Sequence, residues 1–265
     1  MALAAIPPLG LGTWLLQGAV CERAVETALE LGYRHVDTAQ IYRNEAEVGR
    51  AIEQSGLARE QLWITTKVWR ESLAADALRR SVTESLERLR TDHVDLLLVH
   101  WPNPAVPLEA TLDALRAEHE ARRALRIGVS NFPRALLRAA CARTAIAMNQ
   151  VELHVFLQQR ELCAEAERLG VQLTAYSPLA RGKVADDAVL AAIGARHGRS
   201  ASQVALRWLL ERGHVAIPKA SSREHLRENL GALEFALDDG DRAAIEALDR
   251  GLRTIDPPFA PAWDR

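Results

Sequence analysis

Short apolar, β-branched runs alternate with stretches of helical periodicity along the whole chain. Leu9–Thr13, Tyr33–Asp37, Leu62–Val68, Val94–His100, Arg126–Ser130, Ala145–Val151, Val171–Ser177 and Val215–Lys219 read as strands. They are nearly continuous apolar runs, as a parallel sheet covered by helices on its outer face requires. Between them, Glu22–Leu31 carries Ala24, Ala28 and Leu31 on one face, and Ala74–Arg90 repeats Leu78, Val82, Leu86 and Leu89 at helical spacing. Eight such units with no break in composition predict an α/β fold, a single-domain (β/α)8 TIM barrel over residues 1–265. Extra helices are expected at Asp187–His197 and Ser202–Arg212, before the eighth strand, and at Asp238–Asp249 after the last unit. The aperiodic tail Gly251–Arg265 is expected to fold as a loop over one end of the barrel. A doubly wound open sheet is the rival, but its GxGxxG turn is absent: Gly10–Leu11–Gly12 runs on into Thr13–Trp14.

Composition narrows the classes. A net charge of −2 lacks the basic footprint of a nucleic-acid binder, and Arg116–Arg126 reads as a solvated helix face. No run reaches membrane-spanning length, and the N-terminus lacks the basic region of a secretion signal. Cys21, Cys141 and Cys163, each in a helical stretch, suit free thiols in a reducing compartment, so a cytoplasmic protein is expected, and a monomer because no long apolar surface stretch stands out. The eight histidines form no cluster at metal-ligand spacing, so no metal is expected, and no GxSxG nucleophile is present.

In a barrel, chemistry gathers where the strands end. Those ends carry Asp37, Lys67, His100, Ser130, Asn131, Gln150, Tyr176, Ser177 and Lys219, with Tyr42 just past the second. Only three of the 33 cationic residues are lysines, and all three fall at or shortly after strand ends on this face. Trp14, Trp69 and Trp101 follow polar strand-end residues closely and are candidates for the walls of a substrate pocket. An ammonium beside a phenol lowers its pKa, and a carboxylate beside the ammonium keeps it charged. Asp37, Lys67 and Tyr42 could form such a relay, with His100 donating a hydrogen bond to a substrate oxygen or sharing the proton. Such a site suits a carbonyl that takes hydride at carbon and a proton at oxygen. Two other readings stay open: a lyase or aldolase with Lys67 as Schiff base, and a dinucleotide-binding barrel serving as redox sensor or auxiliary subunit.

The segments LGLGTW (9–14), DTAQIYRNEAEVG (37–49), ITTKVW (64–69), LLVHWP (97–102), GVSNF (128–132), NQVE (149–152), AYSPLARG (175–182) and IPKASSREHLREN (217–229) resemble the aldo-keto reductase family across all eight strand ends. With the ending APAWD (260–264), the chain is most similar to the bacterial subgroup that reduces 2,5-diketo-D-gluconate. The resemblance implies NADPH as hydride source and a small carbonyl as substrate: 2,5-diketo-D-gluconate, methylglyoxal, β-keto esters and general aldehydes all stay open. It implies Tyr42 as general acid supported by Lys67, Asp37 and His100, Tyr176 stacked on the nicotinamide, and Ser130, Asn131 and Gln150 at its carboxamide. Thr13 and Asp37 join the cofactor-binding set, with Ser177, Leu179 and Arg181 along the pyrophosphate. Lys219, Ser221, Ser222, Arg223, Glu228 and Asn229 would surround the adenosine and its 2′-phosphate. The chain departs from the family pattern at Ala220 and His225, where Ser and Arg are usual, so a weaker NADPH preference is expected, with Arg223 compensating in part. A short or missing N-terminal hairpin and brief loops after His100 and Tyr176 imply an open pocket for small polar carbonyls rather than steroids.

Overall fold

The computed structural model describes residues 6–264. Eight parallel strands follow one another in chain order: β1 (Leu11–Gly12), β2 (His35–Asp37), β3 (Trp63–Val68), β4 (Leu96–Val99), β5 (Ile127–Ser130), β6 (Met148–Glu152), β7 (Gln172–Tyr176) and β8 (Val215–Ala216). Gly10 N donates to Ala216 O, and Ala216 N to Pro8 O, both at 2.9 Å, so the last strand bonds back to the first and the sheet closes. Closure leaves no free edge. The strands are shorter than their apolar runs, chiefly at the start, where the run leaves the ladder for the connecting loop. β2, β3 and β5 end at the expected residue, and β6 runs one residue further, to Glu152.

Helices cover the outside: α1 (Gly18–Glu30), α2 (Glu45–Gln54), α3 (Ala75–Leu89), α4 (Leu108–Glu120), α5 (Arg134–Arg143), α6 (Arg160–Leu169), α7 (Ala188–His197), α8 (Ala201–Glu211), α9 (Arg223–Leu230) and α10 (Asp239–Glu246). The last ends three residues before the expected Asp249. Leu78, Val82, Leu86 and Leu89 on α3 are all buried, and one continuous apolar layer lies between sheet and helices. Inside the barrel a smaller cluster, Trp63, Leu96, Leu98, Met148, Val215 and Ile217, makes a floor beneath the strand ends. The expected loss of an N-terminal hairpin falls largely on residues 1–5, outside the described residues.

One expectation needs correction. Arg116–Arg126 is not a solvated helix face throughout: α4 stops at Glu120, Glu118 is buried and paired with Arg123 at 2.7 Å, and Arg126 stacks on Trp63. The Arg126 stem gains by covering the Trp63 ring, and the Arg123 guanidinium offsets the cost of burying the Glu118 carboxylate. The cysteines carry no disulfide, and Cys21 is buried while Cys141 and Cys163 are half-buried. No helix among the described residues is long and apolar enough to cross a membrane.

Gly49 lets α2, the helix that follows Tyr42, lie directly against α3. A Cβ there would stand 2.5 Å from Arg88 O and 2.8 Å from Leu89 C, backbone atoms that cannot swing aside. Gly49→Ala should therefore destabilise the fold by about 1–3 kcal/mol, read as a lower urea midpoint with unchanged slope.

Candidate active site

The strand ends bring three distant residues to one point. Lys67 Nζ donates to Asp37 Oδ1 at 2.5 Å and to Thr38 O at 2.8 Å, while Gln150 Nε2 donates to Asp37 Oδ2 at 2.6 Å. Both charged side chains are essentially inaccessible, so each depends on these partners for its solvation. Burial pushes the Asp37 carboxyl up and the Lys67 ammonium down, and each is held back by the charge of the other. Thr13 closes the same corner, its hydroxyl donating to Asp37 O at 3.0 Å.

Tyr42 sits in a 3₁₀ turn, Gln40–Tyr42, that several side chains hold in place. Gln17 Nε2 donates to Tyr42 O at 2.7 Å, Gln40 accepts from Trp69 N, and buried Asn44 donates to Thr13 O and Leu16 O. Lys67 Nζ lies 5.0 Å from the centroid of the Tyr42 ring, and the His100 ring meets that ring edge-on at 5.6 Å. The expected lowering of the Tyr42 pKa is not found. Burial, with the negative charge of Asp37 behind it, keeps the phenol well above its ordinary value, so it is a proton donor at rest. His100 is pushed well below the usual imidazole range by burial and by the Lys67 charge, and its ring is neutral. Its Nδ1 is buried without a hydrogen-bond partner.

These groups open into a cavity of about 520 Å³. It brings together Thr13, Trp14, Asp37, Tyr42, Trp69, His100, Trp101, Asn131, Gln150, Tyr176, Ser177, Arg181 and Lys219 from the sequence reading. Lys67 lies outside this lining, as does Ser130, whose hydroxyl donates to Gln150 O. A Schiff base on Lys67 is poorly served: a buried ammonium bonded to a carboxylate and a carbonyl is not a free amine. Asn131, in a left-handed turn, is engaged at both ends, accepting from Tyr176 Oη at 2.8 Å and donating to His100 O at 3.0 Å.

Of the residues assigned to the pyrophosphate and adenosine, Ser177, Arg181 and Lys219 reach this cavity and the rest stand apart from it. Leu179 packs on the core, Ser221 is exposed, Ser222 caps α9 through His225 N, and Asn229 is buried beside Tyr33. Glu228 accepts from Ser200 Oγ at 2.6 Å. Arg223 pairs with Glu30 at 2.7 Å, and both are exposed, so the pair costs at most about 1 kcal/mol to exchange for another anion.

The sequence reading missed the wall that the tail supplies. Thr254, Ile255, Asp256 and Pro257 line the cavity. Phe259 packs edge-on against Trp69 at 5.8 Å and Trp101 at 5.5 Å, and Trp263 reaches Trp101 at 6.0 Å. The short loops after His100 and Tyr176 thus do not leave the mouth open on every side. The aromatic residues of the tail were a visible signal, but which loop they meet depends on the fold. Among the described residues no group of His, Cys, Asp and Glu could hold a metal ion.

Residues 8–250 match the Aldo/keto reductase family, and the chain belongs to it. Its members are oxidoreductases acting on carbonyl groups. Methylglyoxal reductase DkgB of Escherichia coli O157:H7 is 46% identical over 266 residues, covering 98% of this chain and all of that protein. A crystal structure described as a candidate 2,5-diketo-D-gluconic acid reductase B, also 46% identical, superposes with a TM-score of 0.96 over 98% of this chain and 94% of its own. The aldose reductase of Schistosoma japonicum, 30% identical, superposes at 0.92 over 98% of this chain and 96% of its own.

Burial of neutral imidazoles makes the fold sensitive to acid. His35 is pushed down to about 3 and His214 to about 4, and His100 well below its ordinary value, by burial in each case. The unfolded chain binds protons on them from about pH 6.5 downwards while the folded chain does not. Stability should therefore fall as pH drops below that value, by about 1.4 kcal/mol per unit for each such histidine. Urea midpoints at pH 7.5 and 5.5 check this, and equal midpoints would contradict it.

Proposed function

We propose that this protein reduces small aldehydes and ketones to alcohols with NADPH, using Tyr42 as the proton donor. The observation that carries this reading is the placement of the Tyr42 phenol in an aromatic cavity, with the Lys67–Asp37 pair behind its ring and the His100 ring beside it. A reduced nicotinamide, when bound, supplies the hydride to the carbonyl carbon. Tyr42 donates its proton to the carbonyl oxygen as charge develops there, and the Lys67 ammonium at the ring face stabilises the phenolate left behind. Asp37 and Gln150 keep that ammonium charged and in register. The neutral His100 ring offers a single N–H to the same oxygen. Trp14, Trp69 and Trp101 line the cavity, with Phe259 packed against the last two, and suit a small carbonyl, in keeping with the methylglyoxal and diketogluconate named for the relatives.

The residues present suit the cofactor. Gln150, whose Nε2 is held by Asp37, keeps its Oε1 for a carboxamide N–H, with Ser130 and Asn131 alongside it. Tyr176 presents its ring to the cavity, pinned through its hydroxyl. Thr13, Ser177, Leu179 and Arg181 would follow the pyrophosphate, and exposed Lys219, Ser221, Ser222 and Arg223 the 2′-phosphate, with Glu228 and Asn229 at the adenosine. Because His225 stands where an arginine is usual, NADPH is preferred over NADH by a narrow margin. His225→Arg should widen it about tenfold through a new charge-assisted contact, read as kcat/KM for the two cofactors. Equal efficiency of the native protein with both would contradict the preference.

The reading is tested by following NADPH oxidation at 340 nm with an aldehyde panel. Tyr42→Phe should lose about two to four orders of magnitude in kcat while cofactor affinity stays within a few fold. Cofactor binding without turnover on any aldehyde would instead favour the sensor or auxiliary-subunit reading.

A further inference from the structure

The motif NQVE ends in a residue that the reaction above leaves without a role. Glu152 closes β6, two positions beyond Gln150 and on the same side of the strand, and its side chain is fully buried. A carboxylate so placed needs donors, and it draws most of them from a segment about a hundred residues away. Thr254 N at 2.8 Å and Thr254 Oγ1 at 2.6 Å donate to Oε1, and Ile255 N at 2.9 Å donates to Oε2. The fourth donor is His154 Nε2, at 3.1 Å from Oε1. His154 Nδ1 accepts from Phe156 N at 3.3 Å, so the ring's proton lies on Nε2 and points at the carboxylate. Oε1 thus takes three donors and Oε2 one, and three of these four bonds hold the tail.

Elsewhere the tail is held by the packing of Phe259 on Trp69 and Trp101, and its other hydrogen bonds to the barrel lie near its ends. Leu252 N donates to Phe156 O at 3.0 Å, and Asp264 accepts from Arg134 N at 2.9 Å, at the start of α5. No helix or strand lies between those points, yet Thr254–Pro257 line the cavity. We propose that Glu152 is a positioning residue for substrate: its carboxylate clamps Thr254 and Ile255, and so sets the tail as one wall of the carbonyl pocket. The proposal rests on the reductase reading above. Because Glu152 touches neither Tyr42 nor Lys67, its removal changes how substrate is held and leaves proton donation alone.

Glu152→Gln replaces one acceptor oxygen with an N–H donor that faces a backbone N–H or the Thr254 hydroxyl. With 4-nitrobenzaldehyde and with methylglyoxal, its KM should rise about tenfold or more, with kcat changed less than threefold and NADPH affinity less than twofold. Trypsin should cut after Arg253, a side chain stacked 3.8 Å from the Trp263 ring in the native tail, in the variant but not in the native protein. Thr254→Val, which deletes one hydroxyl and keeps the shape, should raise KM about two- to fourfold. It decides the matter if Glu152→Gln does not fold. A folded variant with native KM, or one that loses kcat at native KM, would overturn the proposal. A native protein that reduces neither aldehyde would count against the reductase reading itself, whereas an active native protein with indifferent variants counts against Glu152 alone.

Discussion

The mouth of this barrel is organised around two opposite charges that have left water. An ammonium and a carboxylate buried together are tolerable only when every remaining donor and acceptor is met. Asp37 needs Lys67 on one oxygen and Gln150 on the other, and Gln150 stands 113 residues further along the chain. β2, β3 and β6 must therefore stand in register around one axis for the pair to exist. Closure through Gly10 and Ala216, the Thr13 bonds to Asp37 and the apolar floor beneath them all serve that register.

The electrostatics of the site follow from this pair. Its ammonium suppresses protonation of His100, and its carboxylate joins burial in keeping Tyr42 a phenol. Two neutral donors thus face a cavity whose buried cation is already matched. A carbonyl oxygen that becomes anionic finds a proton beside it and an ammonium behind the ring. Before that moment, a neutral substrate meets little field that would hold it in place, so orientation falls to the aromatic walls and the tail.

The tail solves a problem of shape. The loops after His100 and Tyr176 are too brief to enclose a substrate, and residues 254–259 supply what they lack. A segment without secondary structure must be held by side chains. It gives its backbone N–H groups to Glu152 and its rings to Trp69 and Trp101. Strand β6 carries both Gln150, which serves the ion pair, and Glu152, which serves the wall, so one short strand links proton chemistry to substrate fit.

Much of this could be read from the chain alone. Strand and helix order followed from the alternation of apolar runs with helical stripes, a local property of backbone periodicity. The candidates Asp37, Tyr42, Lys67 and His100 followed from their place at strand ends, and the free cysteines from their number and spacing. What escaped that reading depended on distance through space. The raised Tyr42 pKa reflects burial, and an ammonium–phenol pairing considered without it gives the opposite direction. Glu118 was placed in solvent because its pairing with Arg123 and the nearby stacking of Arg126 on Trp63 are tertiary contacts. The tail was foreseen as a loop over one end, but not its attachment to Glu152. Periodicity and residue type determined the elements and the chemistry available at their ends. Only the folded chain decided which charges lose water, which donors meet which acceptors and which segment closes the pocket, because burial and hydrogen-bond geometry do not exist until distant parts of the chain touch.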